Sequence, residues 1–529
     1  MIHAYTAETI RKVEEPIVSA PEYDGHLMQA AATRLAQECA RLVEHSATPR
    51  ILLLIGSGNN GADTLYAGAR LANNGCQVQA LAVADSWNHD AVTAFQDAGG
   101  ELTPRLPENL DDVDLIIDGI LGTGARGALR GKAQEIVAYL SEQQEGRGED
   151  FPQVVACDMP SGIDSSTGHI HPPVLRAHTT VSFIGRKVAF LTPAANYCGT
   201  IVVDSLGLEK ELAAESPALS RLDKADRAEL YPAPTFTDHK YTRGVVGIIC
   251  GSEDYPGAAL MSTRAAVNTG CGMVRFVGTS MLNLQVQLHS PEVVCTTEDP
   301  EQLRVQVWAA GSGATGDARE RALDFTLHTA TPAVLDAAAI EPAARWIGVN
   351  GPLPPGKILT PHAGELQTFL QWLSALDTKR WEEDGLEEAP TREEIEKEPL
   401  TWGQHAAKLS GAVVLLKGPV TLIAAPDGYT LSVPGETPWL ATAGSGDTLT
   451  GILGAILAQA YGAQERSQNP GDLRIDTHSQ VQLAALAVSV HQQAALDIHG
   501  HEKQGPVPPS AVAERIAETI SDVLDPGAR

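Results

Sequence analysis

Residues Trp439–Ala455 read WLATAGSGDTLTGILGA. Thr442, Ala443, Gly444, Ser445 and Gly446 are all small and run straight into an apolar helix. A run of small residues before a helix leaves backbone N–H groups pointing outward, and the positive end of the helix dipole adds to them. Together they make a site for an anion such as phosphate. Asp447 stands at the mouth of that site, where a carboxylate has two readings. It is either a helix cap or a general base beside a phosphate cradle.

Working outward, VVLLKGPVTLIAAPDG (413–428) is predicted to be a β-hairpin with Lys417 at its turn, a point charge available to phosphate. ILTPHAGEL ends a short strand at His362, which is either a structural histidine or a hydrogen-bonding group for substrate. HKYTRGVVGIICGSEDYPGAALMSTRAAVNTGCGMVRFVG (239–278) predicts strand, glycine turn, helix, strand. VLDAAAI contains Asp336 but has Ala338 two places on, and no role is assigned to this stretch. Residues 377–402 form a charged insertion expected to be a solvated excursion. The helix near 480–498 is expected to be amphipathic and structural.

The N-terminal half repeats one pattern three times. ILLLI (51–55) has the continuous apolar character of a buried parallel strand and feeds GSGNNGADTLYAGARLA. VDLIIDGILGT ends its strand at Asp118, and VVACDMPSGIDSSTG ends its strand at Asp158. Carboxylates at the carboxyl ends of parallel strands line the ligand crevice of open α/β sheets. Gly56, Gly58 and Gly61, followed by Asp85, formally match a dinucleotide fingerprint, but Asn59–Asn60 is foreign to it. Paired carboxamides suit a polar ligand or a hard monovalent cation, or simply a turn in a left-handed conformation. Ahead of these strands, Thr6 is expected to cap a first helix, and 27–43 has helical spacing. Residues 209–237 are polar and proline-bearing.

Size and composition bound the rest. A chain of 529 residues holds two or three domains. Hydrophobic content of 43% with 20% charged residues is globular. A formal charge of −28 argues against a nucleic-acid-binding surface, while leaving room for a nucleotide in a local glycine-rich cradle. The seven cysteines are scattered singly, so neither a disulfide framework nor a zinc site is expected. No apolar run is long enough to span a membrane, and the expected location is cytoplasmic. There is no GxxxxGK[ST] P-loop.

GSGD before an apolar helix resembles the signature of ribokinase-like enzymes. TPHAGE, KGPVT and GSGD in this order resemble the NAD(P)H-hydrate dehydratases. GNNGAD, GILGTG and DMPSG resemble the NAD(P)H-hydrate epimerases. The whole chain thus resembles the bifunctional nicotinamide-nucleotide repair family. This implies two doubly wound α/β domains: a Rossmann-like epimerase domain at 1–215, a linker at 216–235, and a ribokinase-like dehydratase domain at 236–529. The epimerase would interconvert the R and S hydrates of NADH and NADPH. The dehydratase would restore the S hydrate at the expense of ADP or ATP with magnesium.

The resemblance also assigns residues. Asp447 is the dehydratase base and Asp158 the epimerase carboxylate. Substrate is contacted by Asn59, Asn60, Gly61, Ala62 and Asp63, by the loop Gly122, Thr123, Gly124, Ala125, Arg126, Gly127 and Ala128, and by Ala258, Gly313 and His362. Lys417, Gly418, Pro419, Val420, Thr421 and Gly446 hold the nucleotide. Asn60, Asp118 and Ser161 hold potassium. Lys187 matches a family lysine, with an exposed strand-end lysine as the alternative. The chain departs from the family at Ala62 and Thr64, where glycine is usual, at Ser312 for proline, and at Ala363 for proline. The expected partners are small molecules, and a homo-oligomer is compatible with the sequence. Two rivals stand beside this reading: a ribokinase-like kinase of a small alcohol, and an N-terminal half that binds nucleotide without turning it over.

Overall fold

The apolar run at Ile51 forms the strand Arg50–Ile55, buried from Ile51 onward. The structure is a computed structural model that describes residues 1–84, 86–107, 109–124, 127–466, 475–500 and 503–525. Its contacts divide the chain into two units, His3–Leu219 and Ser220–Arg529, the second including Met1–Ile2. From Ser220 on, the expected linker 216–235 is therefore part of the second unit. It carries the strand Leu219–Arg221 and the helix Lys224–Leu230, which Asp223 caps. Tyr231 is buried with its hydroxyl donating to the Thr269 carbonyl at 2.7 Å. A capped helix and a buried aromatic outweigh the local proline content.

In the first unit, seven parallel strands lie in the order Glu101–Thr103, Gln77–Ala82, Arg50–Ile55, Leu115–Gly119, Gln153–Cys157, Thr179–Phe183, Thr200–Asp204. The chain enters near the middle, winds to one edge, and returns to pair Leu115–Gly119 against Arg50–Ile55. Such a reversal opens a crevice at the carboxyl ends of the two strands. The three strands that end in polar turns are neighbours, so their turns share one edge. Helices cover both faces. Thr6 caps the first, Ala7–Val18, by accepting from Thr9 N at 3.2 Å, and the second is His26–Leu42.

The second unit is also doubly wound. From Val245–Ile249 the sheet runs outward through Met273–Val277 to Val294–Thr296. On the other side it passes through Val307–Ala310, Ala333–Leu335, Lys357–Leu359 and Val413–Leu416, all parallel. Val420–Ala424 then returns antiparallel, closing the expected hairpin, and Thr430–Pro434 follows. Here the reversal lies between Val245–Ile249 and Val307–Ala310. The helix Ser445–Arg466 is buried from Thr448 to Gln459. It fits because Gly451 and Gly454 carry no side chain: a Cβ there would sit 2.2 Å from the Ser262 carbonyl and 2.8 Å from the Ala309 Cβ.

Two expectations need correction. The charged insertion is anchored, because Trp381 and Ile395 of its short helices are fully buried. The helix Thr477–Asp497 is not amphipathic but buried along most of its length. All seven cysteines are free, and no described helix is long and apolar enough to cross a membrane.

Candidate active sites

In the second unit, Asp447 lies in the first turn of Ser445–Arg466, half-buried. Burial, then the charge of Asp336, push its pKa up to about 6, with Lys417 opposing. Lys417 occupies the hairpin turn. Its Nζ donates to Asp336 Oδ1 at 2.8 Å and lies 3.8 Å from Glu365 Oε2. A Cβ on Gly446 would stand 3.5 Å from that same Nζ. Lys417, Gly446 and Asp447 thus share one corner, with the N–H groups of the small-residue turn beside them.

His362 joins this corner through the backbone, since Lys417 N donates to the Pro361 carbonyl at 2.9 Å and His362 bridges to Lys417. Its side chain caps the helix Ala363–Leu376: Nδ1 accepts from Gly364 N at 3.1 Å and from Glu365 N at 3.2 Å. Glu365 completes the capping box by accepting from His362 N at 2.9 Å. The cap uses Nδ1, while Nε2 of the exposed ring lies 3.6 Å from Glu365 Oε1, so the structural reading of His362 has direct support and the substrate-facing one is compatible with the ring's exposure.

Ala258 and Gly313 come together at the reversal of the sheet. Gly313 has φ +61°, and a Cβ on it would lie 2.8 Å from the Ala258 Cβ. Gly418 and Pro419 are exposed at the hairpin tip, whereas Val420 and Thr421 are strand residues with buried side chains.

The sequence reading named Asp336 but assigned it no role, and the structure sets it in this corner. It is buried, and it accepts from Ser312 Oγ at 2.6 Å, Thr360 Oγ1 at 2.8 Å and Lys417. Burial works against its charge, but Lys417, Ser312 and Thr360 hold its pKa below the usual carboxylate range. The signal was present as a carboxylate ending a β-strand, the same cue that was read at Asp118 and Asp158.

In the first unit, Asp158 is buried and has φ +68°. Its Oδ2 accepts from Thr123 N at 2.7 Å, and its Oδ1 accepts from Ser182 Oγ at 3.1 Å and from Lys187 Nζ. Lys187 is only 1% exposed and also donates to the Phe183 carbonyl at 2.7 Å, which sets aside the exposed strand-end alternative. Burial raises the cost of the Asp158 charge, yet Lys187 and Thr123 outweigh it and hold the pKa down.

Asp118 is buried and accepts from Ser161 N at 2.8 Å and Ser161 Oγ at 2.6 Å. Burial pushes its pKa up against those bonds. The Asn60 carboxamide donates to the carbonyls of Cys157 at 2.6 Å and Leu121 at 3.1 Å. Ser161 meets both Asp118 and Leu121, and Asn60 meets Leu121, so the three are brought together; the Asn60 carboxamide turns its N–H groups, not its oxygen, to the Leu121 and Cys157 carbonyls.

Asn59 is exposed, and Gly61 sits where a Cβ would meet the Gly56 carbonyl oxygen at 2.2 Å. Ala62 is buried. Thr64 is fully buried against Gly119, whose would-be Cβ lies 2.1 Å from Thr64 Oγ1, so the departure at 64 faces the sheet and not the crevice. Asp63 is 8% exposed, and its Oδ1 has no partner among the described residues. Burial, then Asp158 and Glu14, push its pKa well up. The Thr123 hydroxyl is likewise buried without a partner. Orphan oxygens of this kind require an explanation, and a ligand is one.

A Cβ on Gly122 would meet Asn60 Oδ1 at 2.4 Å, and one on Gly124 would meet the Arg11 guanidinium at 2.0 Å. Gly127 has φ +75°, and Ala128 is exposed. Ala125, Arg126 and Asp85 lie outside the described residues.

Residues 246–518 match the family model for NAD(P)H-hydrate dehydratase, and residues 24–189 match that for the YjeF-related protein N-terminus. A bifunctional NAD(P)H-hydrate repair enzyme of Mycobacterium tuberculosis is 36% identical over 476 residues, covering 88% of this chain and 91% of its own. One from Corynebacterium glutamicum is 31% identical over 565 residues, covering 93% of each. Among solved structures, an ADP/ATP-dependent NAD(P)H-hydrate dehydratase of Bacillus subtilis, co-crystallised with ATP and magnesium, is 22% identical. It covers 57% of this chain and 98% of its own, with a TM-score of 0.44. On the family models and the full-length relatives, the chain belongs to the bifunctional NAD(P)H-hydrate repair enzymes.

Proposed function

We propose that the second unit dehydrates the S hydrate of NADH and NADPH at the expense of ADP or ATP, and that the first unit epimerises the R and S hydrates. The observation that carries the dehydratase reading is Asp447, half-buried beside Lys417 with a pKa of about 6. A base poised near neutral pH is the kind a proton abstraction needs. Asp447 would take the proton of the ring hydroxyl as that oxygen attacks the terminal phosphoryl group of the nucleotide. The N–H groups of Gly444 and Gly446 and the Lys417 ammonium would steady the charge on the phosphoryl oxygens. Magnesium arrives on the phosphates as part of the co-substrate. The phosphorylated hydroxyl is a good leaving group, and its departure with loss of a ring proton restores the reduced nicotinamide and releases phosphate.

In the epimerase site, the hydrate is a hemiaminal, and inverting its carbon requires ring opening and closure or an equivalent proton transfer. The lowered pKa of Asp158 makes it a hydrogen-bond acceptor and counter-charge for the ring hydroxyl more than a strong base. The bound potassium would be held by Asn60, Asp118 and Ser161 and would supply a fixed positive charge at the mouth of the crevice. For that, Asn60 must present its carboxamide oxygen to the ion. Arg11, against Gly124, and the carboxamide of exposed Asn59 offer further polar contacts to the dinucleotide.

The test follows the absorbance of reduced nicotinamide in a mixture of hydrated NADH epimers with ADP or ATP and magnesium. Wild type should restore all of the NADH, and Asp447→Ala none beyond the blank. Asp158→Ala should stall after one epimer, once spontaneous epimerisation is subtracted. No recovery by wild type with either nucleotide would sink the dehydratase assignment, and recovery of one epimer alone would sink the epimerase assignment.

A further inference from the structure

Asp336 is a buried charge that neither proposed reaction uses directly. It ends the strand Ala333–Leu335, one strand from Val307–Ala310 and one from Lys357–Leu359. Each neighbouring strand end gives it a hydroxyl: Ser312 Oγ at 2.6 Å from one side and Thr360 Oγ1 at 2.8 Å from the other. The Lys417 ammonium closes the ring at 2.8 Å. Ser312 Oγ also lies 3.3 Å from Thr450 Oγ1, on the helix whose first turn holds Asp447.

We propose that Asp336 is a positioning residue of the dehydratase site, holding the Lys417 ammonium at the phosphate corner and facing Asp447 with a fixed negative charge that strengthens it as a base. The inference rests on the dehydratase reading above. A carboxylate clamped by two hydroxyls and an ammonium stays ionised across the working pH range, so its charge is constant. Lysine has a long flexible stem, and a fixed anion confines its ammonium to one place.

The charged and titratable groups facing Asp447 are few. Asp336 raises its proton affinity and Lys417 lowers it. Glu365, on Ala363–Leu376, acts chiefly on Lys417. Cys250, at the end of Val245–Ile249, is neutral because burial pushes its thiol up to about 12. Burial does most to make Asp447 a base near neutrality, Asp336 adds to it, and Lys417 opposes both.

The experiment is the pH profile of kcat/KM for NADH recovery from the S hydrate, run on wild type, Asp336→Asn and Lys417→Gln, with nucleotide affinity measured by calorimetry. Asparagine is isosteric and keeps partners for Ser312 and Thr360. In Asp336→Asn the acid limb should move to lower pH by roughly one unit, because one nearby charge is removed. The plateau rate should fall several-fold as the base weakens, and nucleotide affinity should fall several-fold as Lys417 loses its anchor. In Lys417→Gln the limb should move the opposite way, since the positive charge that opposes protonation of Asp447 is lost. A merely structural role would lower the rate at every pH and leave the limb in place.

An unmoved limb in a folded Asp336→Asn protein overturns the inference. If that variant fails to fold, Lys417→Gln decides, and a limb that does not climb overturns it. Failure of wild type to restore NADH at any pH would instead count against the dehydratase reading itself.

Discussion

Removing the cation from the buried Asp158–Lys187 pair should destabilise the first unit sharply, by an amount that depends on pH. The side chains are 8% and 1% exposed, and the lysine spends its other hydrogens on Ser182 Oγ at 2.9 Å and the Phe183 carbonyl. Lys187→Met replaces the ammonium with an apolar chain of similar length, which leaves a buried carboxylate without its counter-charge. Breaking such a pair from one side costs about 3–5 kcal/mol. Asp158 has a folded pKa below its unfolded value, so in wild type its contribution is present above the unfolded value and lost as pH falls through the folded one. Without Lys187 the sign reverses. Burial then raises the Asp158 pKa, so the deficit is largest near neutral pH and shrinks as acid protonates the carboxylate.

The double variant Asp158→Asn/Lys187→Met removes both charges and should recover most of the loss. Peptide-resolved hydrogen exchange on the full chain, read at strand Thr179–Phe183, follows this unit alone. A loss under about 1 kcal/mol near neutral pH, the worth of an exposed pair, would refute the reasoning, and so would a deficit that does not change with pH.

Four other outcomes are expected. The dehydratase kcat/KM should fall below pH about 6 as Asp447 takes a proton, and a flat profile down to pH 5 would remove Asp447 as the base. His362→Ala should lose the helix cap, costing about 1 kcal/mol, whereas His362→Asn should keep it. If both variants raise the substrate KM alike, the imidazole contacts substrate, and if only the alanine variant does, its role is the cap. Gly61→Ala places a Cβ 2.2 Å from the Gly56 carbonyl and should raise the epimerase KM at least roughly tenfold, about 1.4 kcal/mol. Unchanged epimerase kinetics would show that the turn gives way freely. Asp63→Asn should stabilise the first unit at neutral pH, because the Asp63 pKa is raised and its charge opposes folding there. That gain should vanish toward acid pH while epimerase KM rises, and a loss of stability at neutral pH would contradict the burial argument.

Much of the fold was written locally. Continuous apolar runs ending in glycine or aspartate gave the central strands of both sheets, because a strand covered by helices on both faces must be apolar throughout. Thr6 was legible as a cap for the same reason, since a hydroxyl just ahead of an apolar helix has a backbone N–H to accept from. The linker was not legible: Asp223 and Tyr231 look polar and turn-like in sequence, and only their partners, Asp226 N and the Thr269 carbonyl, make them structural. The insertion misled in the same way, because two buried side chains, Trp381 and Ile395, were outvoted by their charged neighbours.

By itself, the sequence determined which carboxylates and small residues stand at the ends of strands and at the turn into the Asp447 helix, since spacing and residue type are local properties. Only the tertiary structure decided what those residues do to one another. Asp336 and Lys417 are 81 positions apart, yet they touch at 2.8 Å. Thr64 read only as a departure from the family's usual glycine until Gly119 gave it a place in the sheet. Lys187 was as readily a surface lysine as a buried one until Asp158 was seen to neutralise it. Burial and charge pairing depend on which strands the fold sets side by side, and strand order is fixed by packing across the whole sheet.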